Sequence, residues 1–239
     1  MRSVDDWYDV IAADSELPPE AARQLINLGF VVLPGPAIPG GRARLSEAYD
    51  QAVAAADPQD VSIRSSTRVS DFVSRGPEFD GIYVYGPVLA ACRRIIGRPF
   101  KLSAMLARTL EPGGPEQELH VDVQHQADGW PLVGFILMVD EFHAGNGATR
   151  FVPASHWLDH GPDGDCGEPA LACGPAGSII IFNGSVWHGH TANRSAGRRR
   201  SIQGAFIPRE AKAATDQAAR IRPETLQRIG DLARYILSV

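Results

Sequence analysis

The chain has 239 residues and a formal net charge of −5, from 28 acidic and 23 basic residues. Because charges of both signs are scattered along the sequence, we expect no general attraction to nucleic acid or to anionic membranes. The length is sufficient for one well-filled core, so we expect a single domain over residues 1–239.

The opening segment and the cysteines indicate the compartment. The opening residues carry early acids and lack the apolar core of a signal peptide. The longest apolar run, residues 132–139, is far shorter than the ~18 residues that suggest a membrane span. Three cysteines, Cys92, Cys166 and Cys173, are too few and too odd in number for a disulfide framework. We therefore expect a cytoplasmic protein that binds neither a membrane nor nucleic acid.

The first part of the chain, residues 1–98, is predicted to be largely helical. A helix is predicted over residues 18–28, where prolines start the segment and Gly29 stops it. Two more are predicted over residues 42–56 and over residues 87–97, the latter opening with proline and closing with glycine.

Two segments lie between these helices. Residues 30–35 are a short apolar run that ends in turn residues, which predicts a strand. Residues 57–81 are rich in Ser, Asp, Arg and Gly and show little periodicity, which favours a loop or a lid.

The pattern changes after residue 98. Residues 99–208 offer short apolar or alternating runs separated by Gly- and Pro-rich turns, as in a β-sandwich or jelly roll. Residues 209–239 end in apolar residues at helical spacing, which predict a C-terminal helix that packs on the sheet or on a second subunit. The expected fold is mainly β with flanking α-helices.

Histidine and carboxylate side chains recur in two predicted strands. In residues 118–124, His120 and Asp122 are two positions apart and therefore point to the same face of a strand. His188 and His190 share a face in the same way. Two imidazoles and one carboxylate form the ligand set of non-haem Fe(II) oxygenases. Strand geometry alone leaves the choice between the two later histidines open.

An arginine run follows the second pair of histidines. Many such iron enzymes use 2-oxoglutarate, whose distal carboxylate requires a bidentate guanidinium partner. Strand alternation places Arg199 and Ser201 on one face, and Arg198 and Arg200 on the other. Only one face can contribute its arginine to a buried site.

These motifs resemble the phytanoyl-CoA dioxygenase-like branch of the Fe(II)/2-oxoglutarate dioxygenases. The His-x-Asp of that family matches His120 and Asp122. Its distal histidine, followed five residues later by Asn, matches His188 and Asn193, and its 2-oxoglutarate arginine, eleven residues beyond that histidine, falls on Arg199.

The resemblance covers roughly residues 20–208 and departs from the family at Ala154, where glycine is usual. It implies a double-stranded β-helix core and an enzyme that uses Fe(II), 2-oxoglutarate and O2. The implied iron ligands are His120, Asp122 and His188. The implied 2-oxoglutarate residues are Arg199, Ser201 and His190, with a hydrogen-bonded barrel histidine as the alternative role of the last.

Hydroxylation of an unactivated C–H bond in a small molecule, with release of succinate and CO2, is the commonest outcome in that family. The alternatives are a non-hydroxylating oxidation, such as epimerisation, desaturation or cyclisation, and a cupin-like metal-binding protein without redox activity. Trp130 and residues 57–81 either line the substrate pocket or are a core residue and an exposed loop. The remaining partner expected is a second copy of the chain, through the C-terminal helix.

Overall fold

The computed structural model describes residues 2–162 and 167–239. Within them, the helices are α1 Val4–Asp14, α2 Pro19–Leu28, α3 Gly41–Ala54, α4 Gly86–Ile95, α5 Gln217–Arg220, α6 Pro223–Arg228 and α7 Asp231–Leu237. The three helices predicted for the first part are confirmed to within two residues at each end. Helix α2 ends at Gly29, whose φ of +87° is in the left-handed region that glycine adopts readily.

Helix α1 was not predicted, although the sequence carries a signal for it. The hydroxyl of Ser3 accepts a hydrogen bond from the backbone N–H of Asp6, and the Asp6 carboxylate accepts one from the backbone N–H of Ser3. This reciprocal capping box, Ser-x-x-Asp, satisfies two N–H groups at the start of the helix.

Two antiparallel sheets form the centre of the protein. The strands are β1 Phe30–Pro34, β2 Val61–Ile63, β3 Thr67–Val69, β4 Phe100–Leu110, β5 Val133–Met138, β6 Thr149–Phe151, β7 Ala170–Ala172, β8 Ser178–Asn183, β9 His188–His190 and β10 Arg199–Pro208. The larger sheet has the order β1-β8-β5-β10-β4-β3-β2, and the smaller has the order β7-β6-β9. This arrangement confirms the predicted mainly β, jelly-roll fold.

The larger sheet is covered on both faces. From β5 and β8, Ile136 and Ile180 pack with Phe151 of the smaller sheet, between the two sheets. Their neighbours Leu137 and Ile181 belong to the core cluster that the helices share. Because each face buries alternate residues, these two strands are continuously apolar rather than alternating.

The prediction of a loop or lid over residues 57–81 is wrong. Strands β2 and β3 form a hairpin in this segment, and β3 pairs with β4, so the hairpin lies at one edge of the larger sheet. The segment after the hairpin buries Phe72, Val73 and Phe79 in the helix-side core. The first part of the chain is therefore less helical than predicted. The hairpin strands β2 and β3 have three residues each and are too short to show a periodicity.

The single C-terminal helix predicted for residues 209–239 is also wrong. Three short helices occupy its place, because Pro223 starts α6 and the chain leaves helical geometry at Ile229 and Gly230 before α7. Ile236 is fully buried in the helix-side core, and the ring of Tyr235 stacks on Trp7 at 5.7 Å. The C-terminal helix was predicted to pack on the sheet or on a second subunit. The apolar residues of α7 contact their own chain, and a dimer stays a prediction.

Along the described ranges, 2–162 and 167–239, no helix is long and apolar enough to cross a bilayer. Cys92 and Cys173 are free thiols, whereas Cys166 lies outside the described residues. A cytoplasmic location stays a prediction.

Candidate metal centre and active site

The segment that carries His120 and Asp122 is not the strand that was predicted. Its backbone makes one isolated bridge, in which His120 and His188 exchange hydrogen bonds of 2.9 Å, and the chain then bends at Asp122. The backbone N–H of Asp122 donates to the carbonyl of Gly184 at 3.0 Å. The bend replaces the alternation of a strand, and it turns the carboxylate toward the same point as the imidazole.

Three side chains converge at this bend. His120 Nε2 lies 3.9 Å from Asp122 Oδ1, and His188 Nε2 lies 3.8 Å from Asp122 Oδ2. Single potential ligand atoms from the three residues all lie within 4.8 Å of one another. Two imidazoles and one carboxylate at this spacing are the donor set that holds Fe(II) in non-haem oxygenases.

The hydrogen bonds of the two histidines fix their tautomers. His120 Nδ1 donates to the carbonyl of Glu118 at 3.1 Å, and His188 Nδ1 donates to the carbonyl of Val186 at 2.9 Å. Each Nε2 is thereby left with its lone pair directed toward Asp122, as in metal-binding histidines whose other nitrogen is anchored. Burial lowers the pKa of His188, which favours the neutral imidazole that a metal requires.

His190 lies on β9 beside His188 but outside this group of three. Its Nδ1 donates to the carbonyl of Thr191 at 3.0 Å, and its buried Nε2 has no hydrogen-bond partner among the described residues. Burial lowers the pKa of His190 to about 4, so its ring is neutral at pH 7. The ring borders the same cavity as the metal-site residues and offers it one free acceptor nitrogen.

Arg199 is almost completely buried, at 1% exposure, in the same cavity. Its Nη2 donates to the carbonyl of Gly147 at 2.8 Å, and its Nη1 donates to Ser201 Oγ at 3.2 Å. The ring of Phe142 lies 4.5 Å from the guanidinium carbon. Burial lowers the pKa of Arg199 to about 10, which leaves it charged at pH 7. No carboxylate among the described residues pairs with it, and its Nε has no partner there.

The other two arginines of the run lie elsewhere. Arg200 is bidentate to Asp140, at 2.7 and 2.9 Å, and also contacts Ser46 of α3. Arg198 is exposed and pairs with Asp50. The predicted strand alternation is confirmed, because Arg199 and Arg200 lie on opposite faces of β10; the family spacing was what selected Arg199.

The cavity that the metal-site residues share with His190 and Arg199 has a volume of about 500 Å³. Its polar lining consists of Arg64, Arg68, Arg108, Gln117, His120, Asp122, Thr149, His188, His190, Arg199, Gln203 and Ser103. Three of these arginines were missed by the sequence analysis. For Arg108 a signal existed, because it is a charged residue between the apolar residues Leu106 and Ala107 and the buried end of strand β4, FKLSAMLARTL. Nothing in the sequence indicated that Arg64 and Arg68 belong to a hairpin beside the cavity.

Trp130 is absent from the cavity lining among the described residues. Its indole N–H donates to the carbonyl of His156 at 3.1 Å, and its ring packs edge-on against Trp157 at 4.6 Å. The alternative of a packing role therefore applies to Trp130. The segment 57–81 does reach the cavity, through its hairpin arginines.

A model of the phytanoyl-CoA dioxygenase family matches residues 39–201, which is more than half of the chain. The chain belongs to the phytanoyl-CoA dioxygenase family. This confirms the predicted family and the predicted enzyme class, a dioxygenase.

Curated proteins similar to this chain include fungal dioxygenases. Dioxygenase cdmA of Talaromyces verruculosus is 34% identical over 102 residues, which are 39% of this chain and 35% of the relative. Multifunctional dioxygenase prhA of Penicillium brasilianum is 28% identical over 211 residues, 76% of this chain and 69% of the relative. The chain thus spans about a third of the length of cdmA and about two thirds of prhA.

Solved structures with the same fold are more distant in sequence. HygX from Streptomyces hygroscopicus, with nickel and 2-oxoglutarate bound, is 16% identical, with a TM-score of 0.66, over 83% of this chain and 90% of that one. The carbocyclase SnoK from nogalamycin biosynthesis is 15% identical, with a TM-score of 0.68, over 90% and 92%. The epimerase SnoN from the same biosynthesis is 16% identical, with a TM-score of 0.67, over 79% and 82%. At these identities the likeness shows a shared fold.

Proposed function

We propose that this phytanoyl-CoA dioxygenase-family protein is an Fe(II)- and 2-oxoglutarate-dependent oxygenase that hydroxylates an unactivated C–H bond of a small molecule. The observation that supports this most directly is that one cavity holds both a His–Asp–His group and a buried arginine without a carboxylate partner among the described residues. A cupin-like metal-binding protein would explain the former but leaves the buried charge of Arg199 without a purpose.

The residues of the site fit this cofactor. His120, Asp122 and His188 would hold the iron, since their donor atoms are close together and both imidazoles keep Nε2 unprotonated. His120 Nε2 accepts a long hydrogen bond of 3.4 Å from the Gln117 amide, which a metal would replace. When bound, iron and 2-oxoglutarate supply the redox chemistry, in which O2 is reduced, 2-oxoglutarate becomes succinate and CO2, and the substrate is oxidised.

The remaining side chains bind and orient the cosubstrate. Arg199 would bind the distal carboxylate of 2-oxoglutarate, because its guanidinium is held in place by Gly147 and keeps Nε and part of its NH2 groups free. The Ser201 hydroxyl lies beside that guanidinium and would donate a second hydrogen bond. Phe142 covers the charge and excludes water, which strengthens the ion pair. His190 would contact 2-oxoglutarate through its free Nε2.

A second candidate is a non-hydroxylating oxidation at the same site. It is favoured by the two structural neighbours described as an epimerase and a carbocyclase. Both candidates consume 2-oxoglutarate in the same way, and they differ in the product. Mass spectrometry separates them, because hydroxylation adds one oxygen atom to the substrate, whereas epimerisation leaves its mass unchanged.

The test compares His188→Ala with His190→Ala. We expect His188→Ala to lose iron and succinate formation, since it removes one of three ligands. His190→Ala should retain iron and mainly weaken the use of 2-oxoglutarate. Iron content by elemental analysis and succinate yield with Fe(II), 2-oxoglutarate and O2 are measured on both. Retention of iron by His188→Ala together with its loss from His190→Ala would overturn the assignment of the ligands.

A further inference from the structure

The cavity is strongly basic. Four arginines line it, namely Arg64, Arg68, Arg108 and Arg199, against one carboxylate among its described lining residues, Asp122. None of these four makes an ion pair with a described carboxylate, whereas arginines on other faces, such as Arg200, do. The carboxylate belongs to the metal group described above. The cavity therefore holds more positive charge than its own residues balance.

Three positions form a row across neighbouring strands, and the two arginines among them line the cavity. Arg68 of β3 is the cross-strand partner of Arg108 of β4, and Arg108 is the partner of Ser201 of β10. Directly opposed residues share a face, and like charges at such positions repel each other. The row therefore runs from Ser201, beside Arg199, through Arg108 to Arg68 of the β2–β3 hairpin. Its last two members are cations.

Arg108 is held rigidly within this row. Its Nε donates to Ser66 Oγ at 2.7 Å, and its Nη2 donates to Gln117 Oε1 at 3.0 Å. Burial, together with the charges of Arg68 and Arg199, lowers the pKa of Arg108 to about 9, so it is cationic at pH 7. Its neutral partners satisfy two donors but leave its charge uncompensated.

Arg68 is the least satisfied member. Its side chain is half-buried, its Nε is buried without a partner among the described residues, and no hydrogen bond or ion pair in the described part of the chain involves its guanidinium. Burial, and then the charge of Arg64, lowers the pKa of Arg68. A guanidinium with unused donors in a cavity fits an oxyanion, which accepts two parallel N–H bonds.

The cosubstrate does not account for this charge. 2-Oxoglutarate has two carboxylates, of which the proposed function assigns one to Arg199 and the other to the metal end. Arg64 and Arg68 belong to the hairpin at the far edge of the sheet order, two strands away from β10. The apolar lining residues Leu132, Ile136 and Phe182 belong to β5, its preceding residue and β8, which lie on the other side of β10 from the hairpin.

We propose that Arg68, supported by Arg64 and Arg108, binds an anionic oxyacid group of the prime substrate, whose apolar part lies against the aliphatic and aromatic lining. This rests on the proposed function in one respect, that the occupant is the molecule to be oxidised. The expected ligand carries an oxyanion on an apolar body. The oxyanion is either a carboxylate or a phosphate ester.

The test uses the protein loaded with Ni(II) and saturating 2-oxoglutarate, at low ionic strength. Benzoate, phenyl phosphate and the neutral benzamide are titrated by calorimetry. We expect at least one anion to bind about tenfold or more tightly than benzamide, and Arg68→Gln to weaken that anion by about tenfold or more, as loss of a charge-assisted contact should. The stronger of the two anions identifies the source.

Two variants control for folding and for general charge. Arg68→Lys keeps the cation and should bind the preferred anion more tightly than Arg68→Gln does. Arg198→Gln removes an exposed arginine that pairs with Asp50 and should leave anion binding unchanged. Thermal unfolding of each variant checks that the hairpin remains folded.

The proposal is overturned if neither anion binds better than benzamide, or if Arg68→Gln binds both as well as the native chain. It is also overturned if Arg68→Gln weakens the binding of 2-oxoglutarate as much as the binding of the anion, because the arginine then binds the cosubstrate. Failure of the proposed function gives a different result: Ni(II) and 2-oxoglutarate do not bind, while the unloaded protein still binds the anion through Arg68.

Discussion

Arg199 and Arg200 are neighbours in the sequence and have opposite surroundings. The first lies in the cavity and forms no ion pair with a described carboxylate, and the second lies on the helix side, bidentate to Asp140. Burial lowers the pKa of Arg199, whereas the hydrogen bonds that Arg200 donates to Asp140 raise the pKa of Arg200. Arg199 therefore keeps hydrogen-bond donors for an anion from outside the fold, whereas the donors of Arg200 are already used by the Asp140 carboxylate.

This difference predicts the effect of Arg199→Ala. Loss of a charge-assisted contact of about 1.5–3 kcal/mol should weaken 2-oxoglutarate binding by about tenfold to a hundredfold, while iron content stays nearly unchanged. Calorimetric titration with 2-oxoglutarate measures the first quantity. Arg198→Ala is the matched control, because that arginine is exposed. Arg200→Ala is unsuitable, since it leaves Asp140 partly buried without its partner.

Ala154 occupies a backbone conformation that favours glycine, with φ of +64°. A side chain in the left-handed region costs about 1–2 kcal/mol, and the extra backbone entropy of glycine offsets about 0.5–1 kcal/mol of that. Ala154→Gly should therefore raise the free energy of unfolding by up to about 1 kcal/mol. Urea denaturation measures it. Ala54→Gly, at the exposed end of α3, should change stability in the opposite direction.

The β2–β3 hairpin is attached to the rest of the molecule by charge as well as by β3–β4 pairing. The carboxylate of Asp60, at the start of the hairpin, accepts from Arg75 at 2.8 Å and from Arg220 of α5 at 2.5 Å. Both Asp60 and Arg75 have side chains less than a tenth exposed. Elements that are far apart in the chain thereby meet at one buried carboxylate, and this contact positions the hairpin that carries Arg68.

Arg75→Ala should test this attachment. Removing one partner of a buried ion pair costs about 3–5 kcal/mol, and the remaining Arg220 contact reduces this toward about 3 kcal/mol. Arg98→Ala removes an arginine whose ion-pair partners among the described residues are the exposed acids Asp128 and Glu210, and it should cost less than about 1 kcal/mol. Chemical denaturation of both variants gives the comparison. Equal losses would show that the buried pair has no special role.

At the scale of the whole molecule, His156 connects the smaller sheet to the helical layer. It is almost completely buried, at 1% exposure, and its Nε2 donates to the carbonyl of Ile26 in α2 at 2.9 Å. Its Nδ1 has no partner among the described residues and lies within 2.7 Å of where a Cβ on Gly29 would stand. Burial lowers the pKa of His156 below its usual 6.5.

This lowered pKa predicts a pH dependence of stability. The unfolded chain binds a proton at His156 near pH 6.5, and the folded chain binds it only at lower pH. The contribution of the neutral ring is therefore present in full above pH 6.5 and is lost as the pH falls toward the lowered pKa. Unfolding free energies at pH 7.5 and about pH 5.5 should differ less in His156→Gln than in the native chain. An unchanged difference would assign the acid sensitivity to other groups.

Local patterns in the sequence determined most of the secondary structure and one face of the site. Gly29 after an apolar helix predicted the end of α2, and alternation in β10 placed Arg199 with Ser201 and apart from Arg200. These predictions held because helix stops and strand faces depend on neighbours in the chain. The spacing from His188 to Arg199 that resembles the family also agreed with the residues that the fold brings into one cavity.

Tertiary structure alone decided two further features. His120 and Asp122 converge through a bend rather than a strand, and the bridge between His120 and His188 brings beside them the histidine that the family spacing had selected. Residues 57–81 form a sheet edge whose Arg68 faces the cavity through pairing with β4. A period of two specifies the face of a side chain, whereas distances across strands depend on a register set by residues far apart in the sequence.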